Sequence, residues 1–192
     1  MIENKISFVI NENLKKIMEF IMYHNDEFAN EGNMKSIRKI STSDIKKISD
    51  TQITMRRKFY FASIFPEFIN NILGDILDDF LVYEENVLWD LENHTSKNIL
   101  EQINKYYEGE YNVQYIEIDD DTTQIDIEIK FNLLISNLNI MFGINSMIET
   151  VIVQIFIGEM KNFYKKLEDA IKNHESKNQN IHVDSDESSV PN

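Results

Sequence analysis

Gln124-Ile125-Asp126-Ile127-Glu128-Ile129-Lys130-Phe131-Asn132-Leu133-Leu134-Ile135 is the stretch that decides the fold class. Ile125, Ile127, Ile129, Phe131, Leu133 and Ile135 fall on one side of an extended chain; Asp126, Glu128, Lys130 and Asn132 fall on the other. Successive strand residues point to opposite faces, so this is a half-buried strand of an antiparallel sheet. Val113 to Ile118 precedes it, with Asp119-Asp120-Asp121-Thr122-Thr123 between, which predicts a β-hairpin over about 112–136. The alternation of its first strand slips between Tyr115 and Ile116, the signature of a bulge.

Working outward, Ile6, Phe8 and Ile10 predict a short N-terminal strand. Asn11 or Asn13 then caps a helix whose stripe is Leu14, Ile17, Met18, Ile21 and Phe28, with Gly32 as its stop. Ser43 reads as the cap of a short helix over Asp44–Ile48. Pro66 opens a helix with apolar residues at Ile69, Ile72, Leu73, Ile76, Leu77, Phe80 and Leu81, the spacing of one helical face. Val87, Leu88 and Leu91 extend it or begin another. Thr95 or Ser96 caps a further helix through Ile99, Leu100, Ile103 and Tyr106, before Gly109. The helical part so defined covers about 11–108.

Beyond the hairpin, Phe131 to Ile148 carries no charge, but Asn132, Asn137, Asn139 and Asn145 interrupt it, which favours buried core over a membrane span. Ser146 to His174 fits either one long helix or a buried strand followed by a helix over about 159–174. The β-branched run Thr150-Val151-Ile152-Val153 tilts the reading to strand then helix. The organisation expected is a single α+β domain over 1–175 and an acidic polar tail over 176–192. Its helices would pack on one face of a small, mostly antiparallel sheet with the hairpin at its centre.

Composition narrows the function classes. The chain has 192 residues, 33 acidic against 19 basic, and a formal net charge of −14. Such a surface repels phosphate backbones, so direct nucleic-acid binding is disfavoured. The absence of cysteine excludes disulfides, thiol catalysis and thiolate metal sites. The N-terminus lacks the apolar region of a signal peptide, which predicts a protein that is not secreted by that route. Scarce Ala and Arg beside abundant Asn, Ile and Lys point to an AT-rich genome.

Candidate sites are few. Asp119–Asp121 suit a turn better than a calcium loop, because the loop glycine and terminal glutamate are missing. Asp75, Asp78 and Asp79 read as a solvated helix face. Asp90 and His94 stand at helical spacing with no third ligand in view. His24 and His174 read as structural. Arg56, Arg57 and Lys58 form the one basic cluster and, with the tail residues Asp184, Asp186 and Glu187, are the expected contacts for a protein partner. No catalytic, cofactor-binding or metal residues stand out, and no cofactor is expected.

The function expected from the sequence is therefore a non-enzymatic interaction or assembly subunit, in one concrete form a structural or accessory protein of a virus or phage, cytoplasmic or in the virion. Two alternatives stand beside it: an acidic decoy imitating nucleic acid, and a metal-dependent enzyme using clustered carboxylates.

Overall fold

The computed structural model describes residues 2–30, 36–62, 65–74, 81–101, 107–134 and 145–186, with side chains described as far as Lys177. The elements run β1 (Ile2–Ile10), α1 (Leu14–Tyr23), α2 (Asn25–Asn30), β2 (Ile37–Lys47), β3 (Gln52–Phe61), α3 (Glu67–Leu73), β4 (Val82–Asp90), β5 (Thr95–Glu101), β6 (Tyr107–Asp119), β7 (Thr122–Leu133) and α4 (Asn145–Asp186). The strands form one seven-stranded antiparallel sheet in the order β1-β7-β6-β5-β4-β3-β2.

The hairpin reading holds: β6 and β7 pair from Tyr107↔Leu133 to Asp119↔Thr122. Ile125, Ile127, Ile129 and Phe131 are all buried, while Glu128 and Lys130 are exposed. The irregularity of the pair lies between Glu117 and Asp119 rather than at Tyr115, because Ile116 and Ile118 simply face outward and remain exposed. The sheet is larger than expected, and the hairpin lies toward one edge, beside β1, while β5 holds the middle position.

Three expected helices are strands. Residues 44–48 belong largely to β2, 82–90 to β4 and 95–101 to β5. The helix after Pro66 is only Glu67–Leu73, with Gly74 as its C-cap at φ 51°. Asp75, Asp78 and Asp79 lie outside the described residues. The binary pattern misleads because β4 and β5 bury polar side chains. Glu85 alternates inward with Tyr83, Val87 and Trp89, and Ser96 and Asn98 face inward while Ile99 faces out. Conversely, 145–158 is helix. Its burial recurs at Ile148, Ile152, Ile157, Tyr164, Leu167 and Ile171, and packing of that stripe outweighs the strand preference of branched residues. The helical backbone continues past residue 175 to Asp186.

Aromatic contacts join α4 to the sheet. Tyr164 stacks on Phe8 at 4.9 Å between centroids, and Phe156 meets Tyr83 and Tyr111 edge-on at 6.3 and 6.1 Å. At the N-terminal end, Asn13 caps α1 by accepting from the Lys15 and Lys16 amides, and its amide group donates to the Asp120 carbonyl in the β6–β7 turn. No helix among the described residues is long and apolar enough to cross a membrane.

Candidate functional site: the cavity between sheet and α4

Alternation along β3 sends Met55, Arg57 and Phe59 inward and Arg56 and Lys58 outward. The basic cluster is thereby split between two faces. Arg57 is 3% exposed, so its guanidinium serves the interior and not an external partner. Arg56 Nη2 donates to both Glu101 carboxylate oxygens at 2.8 and 3.0 Å, and Lys58 pairs with Glu84 at 2.7 Å. With Lys97–Glu110 and Lys5–Glu128 these make a ladder of cross-strand ion pairs on the outer face. The side chains of Asp184 and Asp186, and the whole of Glu187, lie outside the described residues.

On the inner face, Arg57 stands opposite Glu85 in the β3–β4 register. Glu85 is fully buried; its Oε2 accepts from the Tyr111 hydroxyl at 2.6 Å, and its Oε1 lies 3.5 Å from Arg57 Nη1. Arg57 Nη2 donates to the Ile21 carbonyl at 2.9 Å, and the guanidinium lies 5.8 Å from the Trp89 ring. Burial raises the Glu85 carboxyl above the usual carboxylate range, opposed by the Arg57 charge and the Tyr111 hydrogen bond. The Tyr115 hydroxyl is pushed up to about 12 by burial, against the Arg57 charge and hydrogen bonds with Ser96 and Tyr164. Burial likewise raises Tyr83, Tyr111 and Tyr164, so these phenols stay protonated through the neutral range.

Arg57 and the four phenols, but not Glu85, line a cavity of about 70 Å³ between the sheet and α4. Its polar lining comes from Asn25, Arg57, Ser96, Asn98, Tyr111, Tyr115 and Tyr164, and its apolar lining includes Ile40, Phe59, Val113 and Phe163. A second cavity of about 70 Å³ adjoins it, lined by Leu100, Tyr107, Phe131 and Ile152 among others. Phe61, Tyr83, Phe156 and Glu159 border both. Glu159 accepts from Ser36, and burial raises its carboxyl, with the Lys166 charge opposing. Arg57 Nε and Asn25 Oδ1 are buried without a hydrogen-bond partner among the described residues. Both residues line the first cavity, and an unpaired buried polar atom is costly, roughly 1–3 kcal/mol.

The other sequence candidates resolve as local structure. Asp90 accepts from the Glu92 and Asn93 amides in the β4–β5 turn, which His94 closes at φ 51°. Asp119 Oδ1 accepts from the Asp121 amide, as a turn aspartate does. The residues that matter here, Glu85, Ser96, Asn98, Tyr115 and Tyr164, are absent from the sequence candidates. Their one signal is polarity at inward strand positions, which is visible only once the strands are assigned.

No protein family matches this sequence, and no curated protein does. Solved structures share the fold. TTHA0849 from Thermus thermophilus superposes with a TM-score of 0.59 at 10% identity, over 90% of this chain and 99% of that one. The di-domain aromatase/cyclase BexL of the BE-7585A biosynthetic pathway gives 0.55 at 8% identity, over 88% of this chain and 47% of its own length. The Zhui aromatase/cyclase from Streptomyces sp. R1128 gives 0.50 at 9% identity, over 87% and 93%. This likeness overturns the expectation of a viral or phage assembly subunit, with its virion placement and its decoy and carboxylate-metal alternatives. The chain instead has the fold of bacterial proteins that include aromatase/cyclases.

Proposed function

We propose that this protein binds an apolar, flat small molecule between its sheet and α4, with a hydrogen-bond acceptor or anionic group at the Arg57 end. The observation that carries this is the cavity wall itself: a buried guanidinium with a free Nε, beside Asn25, Ser96, Asn98 and three phenols, under an aromatic roof from α4. Ligand pockets characteristically combine apolar walls with a few convergent polar groups. Glu159, at the boundary of the two cavities, favours a neutral or donor group at the ligand's other end. Each cavity alone is small, so a polycyclic ligand requires the Phe156 side chain to swing aside and join them.

The test uses 8-anilinonaphthalene-1-sulfonate, which is aromatic and anionic. Isothermal titration should give saturable binding of one probe per chain. The double variant Arg57→Gln/Glu85→Gln, which removes the charge pair without leaving a lone buried charge, should weaken it about tenfold or more. Equal affinity in wild type and double variant would refute the role given to Arg57.

A second reading is aromatase/cyclase chemistry, the activity for which two of the similar structures are named; we take its substrate to be a poly-β-ketone chain. The Tyr115–Tyr164 pair beside Arg57 supports it, since protonated phenols can donate to a carbonyl oxygen. Turnover of a poly-β-ketone thioester, lost in Tyr164→Phe, is the result expected of that reading. Binding without turnover would leave the binding reading alone.

A further inference from the structure

His24 and Glu27, three residues apart at the α1–α2 corner, meet His174 from the far end of the chain. His24 is the C-cap of α1, Glu27 lies in α2, and His174 lies on α4, ten residues or about 15 Å along the helix beyond Tyr164. The two oxygens of Glu27 are shared between the imidazoles: Oε1 is 3.2 Å from His24 Nδ1, and Oε2 is 3.2 Å from His174 Nδ1. The imidazole centroids are 4.1 Å apart, and one ligand atom from each of the three residues lies within 4.8 Å of the others. Phe20 packs edge-on against His174 at 5.9 Å, which fixes that ring from behind. Both imidazoles are half-buried and Glu27 is exposed, so the cluster is held yet open to solvent.

We propose that these three side chains bind a divalent transition-metal ion of the zinc type, which clasps the α1–α2 corner to α4. Two imidazole nitrogens and a carboxylate oxygen are a zinc donor set, and zinc–ligand bonds of about 2.0–2.2 Å place tetrahedral ligands roughly 3.3 Å apart. Each imidazole Nδ1 already lies 3.2 Å from one Glu27 oxygen, His24 from Oε1 and His174 from Oε2, and one ligand atom from each of the three residues fits within 4.8 Å. A small rotation of the imidazoles about an ion between them completes the set, with water in the fourth position. Hard ions such as magnesium prefer an all-oxygen shell and are not expected to compete. The corner that the ion would fasten carries Asn25, which lines the cavity.

The full chain, stripped with chelator, is the material for the test. Zinc chloride should raise the melting temperature by several degrees and bind at one ion per chain, whereas magnesium chloride should do neither. His174→Ala and Glu27→Gln should each weaken zinc binding about tenfold or more, since even outer-shell changes cost that much. His94→Ala, outside the cluster, should leave it unchanged. The absorption spectrum of the cobalt-loaded wild type, which needs no variant to fold, should show the visible bands of a four-coordinate ion with nitrogen ligands. No zinc-dependent stabilisation, or an equal response in His174→Ala, would overturn the proposal and leave the cluster as two histidines hydrogen-bonded to one carboxylate.

Discussion

At the scale of single residues, the inner face is governed by what each side chain finds opposite it. Glu85 is the sharpest case, a fully buried carboxyl held between Arg57 and Tyr111. Removing one member of such a pair leaves the other uncompensated, at a cost of about 3–5 kcal/mol, while replacing both is far gentler. Glu85→Ala should therefore destabilise by about 3–5 kcal/mol in urea unfolding, and Arg57→Met/Glu85→Leu should recover most of it. A single-variant loss below about 1 kcal/mol would mean that the pair is not buried as described. Gly109 makes the opposite point. A Cβ there would meet Leu100 Cδ1 at 2.8 Å and the Lys130 carbonyl at 3.0 Å. Gly109→Ala should cost roughly 1–2 kcal/mol in the same assay, although alanine normally orders a chain better than glycine. In the sequence Gly109 reads as the end of a helix, because crowding by a neighbouring strand leaves no mark on the local pattern.

At the scale of elements, legibility follows how cleanly each strand separates apolar from polar. β7 puts only apolar side chains and one buried threonine inward among its described positions, and it reads as a strand from Ile125 onward. β4 and β5 place Glu85, Ser96 and Asn98 inward, so their period of two is masked and a helical spacing takes its place. The polar groups that build the candidate site are thus the ones that conceal the strands carrying it. α4 is obscured for the converse reason, since its branched residues favour strand until tertiary packing overrides them. Phe156 is where this helix shapes the cavity. Phe156→Ala should join the two spaces, lower stability by about 1–3 kcal/mol because the ring is only partly buried, and admit larger polycyclic probes. Calorimetry comparing a naphthalene with an anthracene sulfonate would reveal the change in size preference.

At the scale of the whole molecule, burial of four phenols sets an alkaline limit. Tyr83, Tyr111, Tyr115 and Tyr164 all keep their protons above the ordinary tyrosine value of 10, Tyr115 to about 12. The unfolded chain releases these protons first, so between about pH 10 and 12 the folded state binds more protons and stability falls as pH rises. Ultraviolet titration should show at least these four of the eight tyrosines ionising only as the protein unfolds. Early, reversible titration of all eight would contradict the packing. The acidic outer surface, laced by pairs such as Arg56–Glu101, surrounds this interior and is consistent with a protein whose specific chemistry is internal.

If the space between the sheet and α4 is a binding site, amide shifts in a nitrogen–proton spectrum during titration with 8-anilinonaphthalene-1-sulfonate will locate the probe there. The perturbed amides should cluster on β3, β4, β5 and β6 around Arg57, Tyr83, Asn98 and Tyr115, and on α4 from Phe156 to Tyr164. Perturbations confined to the outer face, around exposed Ile99 and Ile116, or no saturable shifts at all, would contradict it.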